Sequence, residues 1–349
     1  MKYVKESNPL FSIAIPTYNR VDSLREIVDC YINQDFKDFE IIIANDYIEQ
    51  KLSHKILGVE NDSRVRIVNN KKNLGELENM NFLLTLAKGK YFTWQFDDDP
   101  CSEFFLSTVA SAIFTYKYPE SVFSAFETIY GENKKRLKCD PKQRSVCYSG
   151  PNFVEKYLNK EIKALGCCGF YKLEFLKQLG GVTRLSSGSM ALFSEFLLLV
   201  KQTAATKVAY LNAPLVSTRH HPGSWTYYNN DIELFEKAGL NYICESYQVL
   251  NNLDSTFKHI LFLQVVRFVL ASISVRLWQN SKSFGKSGIN KYIGILKLEC
   301  SSRLDAGTKL IFENELDNFT KLSWRYSLKA ILKCYVPFRV FNLIESFRK

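Results

Sequence analysis

The chain predicts an α/β fold, a mainly parallel sheet with helices on both faces followed by a helical C-terminal region. Three observations predict it. Short apolar runs alternate with segments of helical spacing through the first half, and such alternation implies parallel strands joined by crossover helices. Polar clusters close three of the apolar runs, at the strand ends where sheets of this kind bind ligands. From about residue 231 the apolar spacing is helical throughout.

The elements follow in order. Residues 11–15 form an apolar run that Pro16 is expected to end, a buried strand. Residues 21–33 carry Val21, Leu24, Ile27, Val28 and Tyr31 at helical spacing. Residues 39–44 repeat the buried-strand pattern, and residues 64–68 repeat it more weakly. Residues 76–87 are helical, with Leu77, Met80, Leu83, Leu84 and Ala87 on one side. Residues 91–96 form the next apolar run, which leads into Asp97-Asp98-Asp99. Residues 120–220 read as mixed strand and helix completing the same domain, with glycine- and serine-rich loops at 166–169, 180–181 and 186–189.

A length of 349 residues suggests two domains, placed at 1–230 and 231–349. Hydrophobic residues make up 46% and charged residues 23%, which excludes a disordered chain. The nine cysteines include no CxxC pair, so zinc ribbons and disulfide frameworks give way to reduced thiols. The first residues lack the apolar core of a signal peptide, and a cytoplasmic chain is expected.

Residues 257–278 are apolar nearly all round and long enough to span a bilayer. Arg267 and Arg276 in their interior make spanning costly, so a buried core helix is expected. The last 29 residues hold +6 of the net charge of +10. Lys321, Arg325, Lys329 and Lys333 recur every four residues beside Trp324, Leu328, Ile331, Leu332 and Tyr335. A basic amphipathic helix of this kind suits an anionic membrane surface, and an ordinary helix packed on its own domain gives the same pattern. The region beyond 231 equally leaves room for pairing into a homo-oligomer.

The acidic triplet poses a physical problem. Adjacent carboxylates disfavour one another's ionisation, and a cation relieves them. A divalent metal does so and holds a phosphate on its far side. The bland alternative is a solvated acidic turn. The residues around the triplet carry a resemblance that decides between these. Ser12-Ile13-Ala14-Ile15-Pro16-Thr17-Tyr18-Asn19-Arg20, then Gln34 with 36–44, then Asn69, Asn73, Gly75, Asn81 and Ala87-Lys88-Gly89-Lys90-Tyr91, then Phe96–Asp99 occur in one order and spacing. Together they resemble a family 2 glycosyltransferase with the glycosyltransferase A fold, over residues 10–225.

The resemblance implies a nucleoside-diphosphate sugar donor, with a UDP-sugar favoured, and a Mn²⁺ or Mg²⁺ cofactor on its diphosphate. It makes Asp99 the metal carboxylate and Asp97 a second, near the ribose, with Asp98 beside them. Asp46 matches the carboxylate that accepts a nucleobase N–H, and its plain reading is a helix N-cap. Here Asn45-Asp46 replaces the family's usual acidic pair. Pro16, Thr17 and Tyr18 flank the base, and Asn73 lies in the same donor site. Glu195 matches the second acid of the family's Glu-Asp pair, the base that deprotonates an acceptor hydroxyl, with Ser194 in place of the first. Its plain reading is a helix-start glutamate favoured by the dipole. Arg219-His220-His221-Pro222-Gly223-Ser224 resembles the family's Arg-x-His-Pro-x-Ser segment. His221 there is a third metal ligand, and Arg219 and Ser224 are phosphate donors.

The function implied is inverting transfer to a glycan or lipid-linked saccharide in surface polysaccharide synthesis, with the C-terminus at the inner face of the cell membrane. A noncatalytic nucleotide-sugar or glycan-binding module on the same fold is the alternative. Nucleic-acid binding is excluded as a reading because the basic residues are not clustered with stacking aromatics in the sheet region and no nucleic-acid motif appears. A dinucleotide oxidoreductase is excluded because the first strand leads into Pro-Thr-Tyr-Asn-Arg, with no glycine-rich turn.

Overall fold

The computed structural model describes residues 8–130, 145–220, 231–281 and 286–335. The chain forms two compact units, Met1–Tyr228 and Asn229–Lys349.

The first unit is built on an eight-stranded sheet. Its elements run β1 (Phe11–Thr17), α1 (Val21–Ile32), β2 (Phe39–Asn45), α2 (His54–Leu57), β3 (Val65–Asn69), α3 (Glu76–Leu86), β4 (Tyr91–Trp94) and α4 (Phe105–Thr115). Then come β5 (Ser121–Tyr130), β6 (Ser145–Tyr148), α5 (Gly150–Leu158), β7 (Phe170–Lys172), α6 (Leu173–Gln178), α7 (Ser194–Val200) and β8 (Val208–His220). The strand order is β3-β2-β1-β4-β7-β5-β8-β6. The β3-β2-β1-β4 half is parallel. Strand β7 joins it antiparallel to the parallel pair β5–β8, and β6 closes the far edge antiparallel. This is the predicted α/β class.

The alternation of apolar runs has a direct cause. Every residue of β1 and of β2 is buried, as strands covered on both faces require. Phe11, Ile13 and Ile15 share one core with Leu24, Ile27, Val28 and Tyr31 of α1. Each such side chain contributes about 2 kcal/mol on leaving water. Met80 and Leu83 of α3 are fully buried, and the Met80 carbonyl accepts the Trp94 indole N–H at 2.9 Å.

Pro16 does not end β1, contrary to expectation; the strand continues to Thr17. Strand β4 pairs with β1 only as far as Ala14. Beyond that point β1 has a partner on one side only, a place where a residue without an N–H is tolerated. Gly89 shows why the turn before β4 needs glycine. Its amide donates to Ser12 Oγ at 2.7 Å, and a Cβ there would lie 2.5 Å from the Ser12 backbone nitrogen. Gln34 joins α1 to α4, donating to the Ser102 carbonyl at 2.7 Å and accepting the Leu106 amide at 2.9 Å. Cys30, Cys101, Cys147, Cys167, Cys168, Cys244 and Cys300 are free thiols.

The second unit is helical: α8 (Ile232–Leu250), α9 (Ser255–Ser281), α10 (Lys286–Cys300) and α11 (Ala306–Tyr335). Helix α9 is long and apolar enough, by length and composition, to cross a membrane. Its Leu261, Phe262, Val265, Val266, Val269 and Leu270 are buried within the unit. Arg267 makes a two-point ion pair with Glu315 of α11 at 2.7 and 2.8 Å. Helix α11 carries the backbone of the basic stripe at 321–333.

Candidate active site

Parallel register brings the ends of β1, β2 and β4 to one edge of the sheet, because Thr17 pairs with Asn45 and Ala14 with Trp94. The three polar clusters of the sequence therefore meet there. Thr17 Oγ1 donates to Asp97 Oδ2 at 2.6 Å. Arg20, at the mouth of α1, reaches Asp97 at 3.2 Å and Asp98 at 2.7 Å. The cation that the acidic triplet calls for is thus partly supplied by the chain itself.

Asp97 and Asp99 are both buried. Burial pushes the Asp97 carboxyl up to about 6, against the pull of Thr17 and Arg20. Burial pushes Asp99 up to about 8, and the Asp98 charge adds to it. Asp99 Oδ1 accepts the Arg219 amide at 2.8 Å. These are the marks of a site short of positive charge.

Asp46 is buried and busy. It accepts Asn70 Nδ2 and the Leu74 and Gly75 amides, each at 2.8 Å. It is not the cap of the helix that follows, since Ser53 caps α2. It holds the loop before α3, and a carboxylate with about four acceptor positions keeps capacity for one more donor. Asn73 Oδ1 accepts the Gly75 amide at 2.9 Å in the same loop. Pro16 is internal to β1, and Tyr18 is half exposed with its ring edge-on to Tyr47, centroids 5.3 Å apart. Thr17, Arg20, Asn45 and Tyr47 border a narrow crevice here.

Glu195 is the second residue of α7, as the helix-start reading requires, but it is not a solvated dipole partner. Burial pushes its carboxyl up to about 7, the Glu76 charge adds to this, and the Cys167 amide opposes it. The Asp99 carboxyl is raised in part by Glu195, so the two share one electrostatic site. Arg219 makes a two-point ion pair with Glu26 of α1, at 2.5 and 3.3 Å, in addition to its amide contact with Asp99. His221 and Ser224 lie outside the described residues.

Among the described residues, no three His, Cys, Asp or Glu side chains group as a metal site. Two raised, buried carboxylates fit an ion that takes one or two protein ligands and completes its shell with substrate phosphate, as Mg²⁺ does. The sequence pattern gives no sign of the parts played by Arg20, Glu26 and Glu76. The partners of Arg20 are 77 and 78 residues away in the chain. Glu76 reads as an ordinary first-turn acid of α3.

Comparison with known proteins bears on this site. Residues 12–179 match the family model described as Glycosyl transferase family 2. The putative colanic acid biosynthesis glycosyl transferase WcaA of Escherichia coli is 32% identical over 96 residues, 27% of this chain and 34% of that protein. A Campylobacter jejuni GalNAc(5)-diNAcBac-PP-undecaprenol beta-1,3-glucosyltransferase is 32% identical over 103 residues, 29% of this chain and 33% of that protein. The chain thus spans about a third of the length of these curated relatives. The crystal structure of S. aureus TarS 1–349 superposes with a TM-score of 0.61 over 90% of both chains at 14% identity, a likeness of fold. The same protein in complex with UDP-GlcNAc gives 0.50 over 84% of this chain and 91% of that one, at 16% identity. Residues 12–179 thus match glycosyl transferase family 2, and the sheet is that of the glycosyltransferase A fold.

Proposed function

We propose that the chain transfers a sugar, with inversion, from a nucleoside-diphosphate donor to a saccharide or lipid-linked saccharide acceptor. The observation that carries this reading is the shared electrostatic site of Asp99 and Glu195, one carboxyl raised to about 8 and the other to about 7, beside the strand ends. Thr17, Pro16 and Tyr18 form the wall for the nucleobase, and Asp46 with Asn73 orders the loop beneath it. A UDP-sugar is favoured because TarS holds UDP-GlcNAc on this fold. The names of the relatives, which speak of colanic acid and undecaprenol, support a polysaccharide or lipid-linked acceptor.

Mn²⁺ or Mg²⁺ would be held by Asp99 and Asp97, with His221 from the motif, and would supply charge neutralisation for the departing diphosphate. Glu195 takes the proton of the acceptor hydroxyl. The freed oxygen attacks the anomeric carbon opposite the diphosphate, the C–O bond to phosphate breaks, and the configuration inverts. A carboxyl near 7 suits this task, because a base works best with its pKa close to the operating pH. Arg20, Arg219 and Ser224 stand as donors toward phosphate oxygens. The basic stripe of α11 supports peripheral docking at the inner face of the cell membrane.

Calorimetric titration with UDP, GDP, dTDP and CMP, with and without Mn²⁺, tests the reading on wild type and Asp99→Ala. Metal-dependent binding of one diphosphate, lost in the variant, is the expected result. Binding of none of them, or binding indifferent to both metal and Asp99, overturns it.

A further inference from the structure

The loop that leads into α7 is fastened to the start of α3 at several points. Glu76 Oε2 accepts the Ala191 amide at 2.9 Å. The Leu77 amide donates to the Ser189 carbonyl at 3.1 Å. The Arg184 guanidinium donates to the Gly188 carbonyl at 2.8 Å and to Glu78 Oε1 at 2.7 Å. Gly75 lies so close beneath that a Cβ there would stand 2.5 Å from Ser189 Cβ.

Each end of this clamp leads to chemistry. On one side, Asp46 accepts the Leu74 and Gly75 amides and so fixes the residues just before Glu76. On the other, the Ser194 amide donates to the Ala191 carbonyl at 3.1 Å. The peptide unit region that Glu76 grips therefore also starts α7, whose second residue is Glu195. A single carboxylate thus stands between the donor loop and the helix that carries the base.

We propose that Glu76 is a positioning residue that fixes Glu195 relative to the donor site. The inference rests on the functional reading above. The groups that face Glu195 electrostatically are Glu76 from α3, Asp99 beyond β4, and Cys167, Cys168 and Tyr171 around β7. Glu76 therefore acts on the base twice, through the Ala191 amide and through its charge.

Two variants of the full chain separate these actions. Glu76→Ala removes the acceptor and the charge, and kcat is expected to fall roughly 10- to 100-fold while the UDP dissociation constant changes less than about threefold. Glu76→Gln keeps an oxygen on the Ala191 amide and should restore most of kcat, with the acid limb of the pH–rate profile moved to lower pH. Hydrogen exchange at the Ala191 amide, fast in Glu76→Ala and slow in wild type and Glu76→Gln, reads the clamp without any activity. Full kcat in Glu76→Ala, equal losses of kcat and UDP binding, or unchanged exchange at Ala191 each overturn the proposal. A wild type that binds no nucleoside diphosphate defeats the functional reading, and the exchange measurement still decides the clamp.

Discussion

The proposed donor side and the proposed base side of the site are built by different means. Thr17, Asp46 and Asp97 stand at or just beyond strand ends, and the register of three parallel strands sets their positions. Glu195 stands on a seven-residue helix whose entry, Phe193, has a left-handed backbone with φ of 57°. Nothing in a ladder places it; contacts spanning more than 100 residues do, such as Glu76 to Ala191. A ladder-built side tolerates local change, whereas a clamp-built side depends on a few bonds. The chemistry is then expected to be more fragile than donor binding.

Changes that break this contrast can be ranked. Glu195→Gln is expected to have the largest effect, a loss of about 10²- to 10⁴-fold in kcat with nucleotide binding retained. Steady-state kinetics beside calorimetry measures both, and joint loss would mean the two sides are one cooperative unit. Asp46→Ala removes three bonds to a buried carboxylate and is expected to cost about 2–4 kcal/mol in urea unfolding of the full chain. It should also lower kcat, because Gly75 lies under Ser189. Gly89→Ala forces a Cβ onto the β1 backbone and is expected to cost about 1–3 kcal/mol. The variant that still folds should keep its pH profile.

Acidity sharpens the comparison further. Because burial raises Glu195 to about 7, kcat/KM should decline tenfold per pH unit below that value. An acid limb near 4.5 would mean that Glu195 is solvated or idle. The stability effect has its own sign. A carboxyl raised on folding favours the fold fully below its unfolded pKa, and that gain is lost as pH rises through about 7. Removal of residues after 320 should change least in the first unit. Vesicle sedimentation with anionic lipid is expected to fall while UDP binding stays.

What could be read in the sequence follows the same division. Strand–helix alternation and the three polar strand ends were legible because each signal is local: an apolar run, then the residue that closes it. The acidic triplet beyond β4 was singled out for that reason. Pro16 looked like a terminator because its ladder partners belong to other segments. Arg20 lay inside a recognised motif, yet its two carboxylate partners are separated from it by every element from α1 to β4. Glu76 resembled any acid in a helix's first turn, and its amide partner lies 115 residues on. Arg219 was read as a phosphate donor, and its pairing with Glu26 on α1 left no trace in the sequence pattern. Long-range pairing of charges leaves no period or spacing in a single chain.

The contact between Gly75 and Ser189 bears on exchange of parts among related enzymes. The two residues meet with no room for another carbon. A graft that brings in a foreign acceptor loop, or a foreign donor loop, must carry a small residue at each of the two positions. Recombination of donor and acceptor specificities between such proteins should succeed only when crossovers keep residues 74–78 and 184–191 from the same parent.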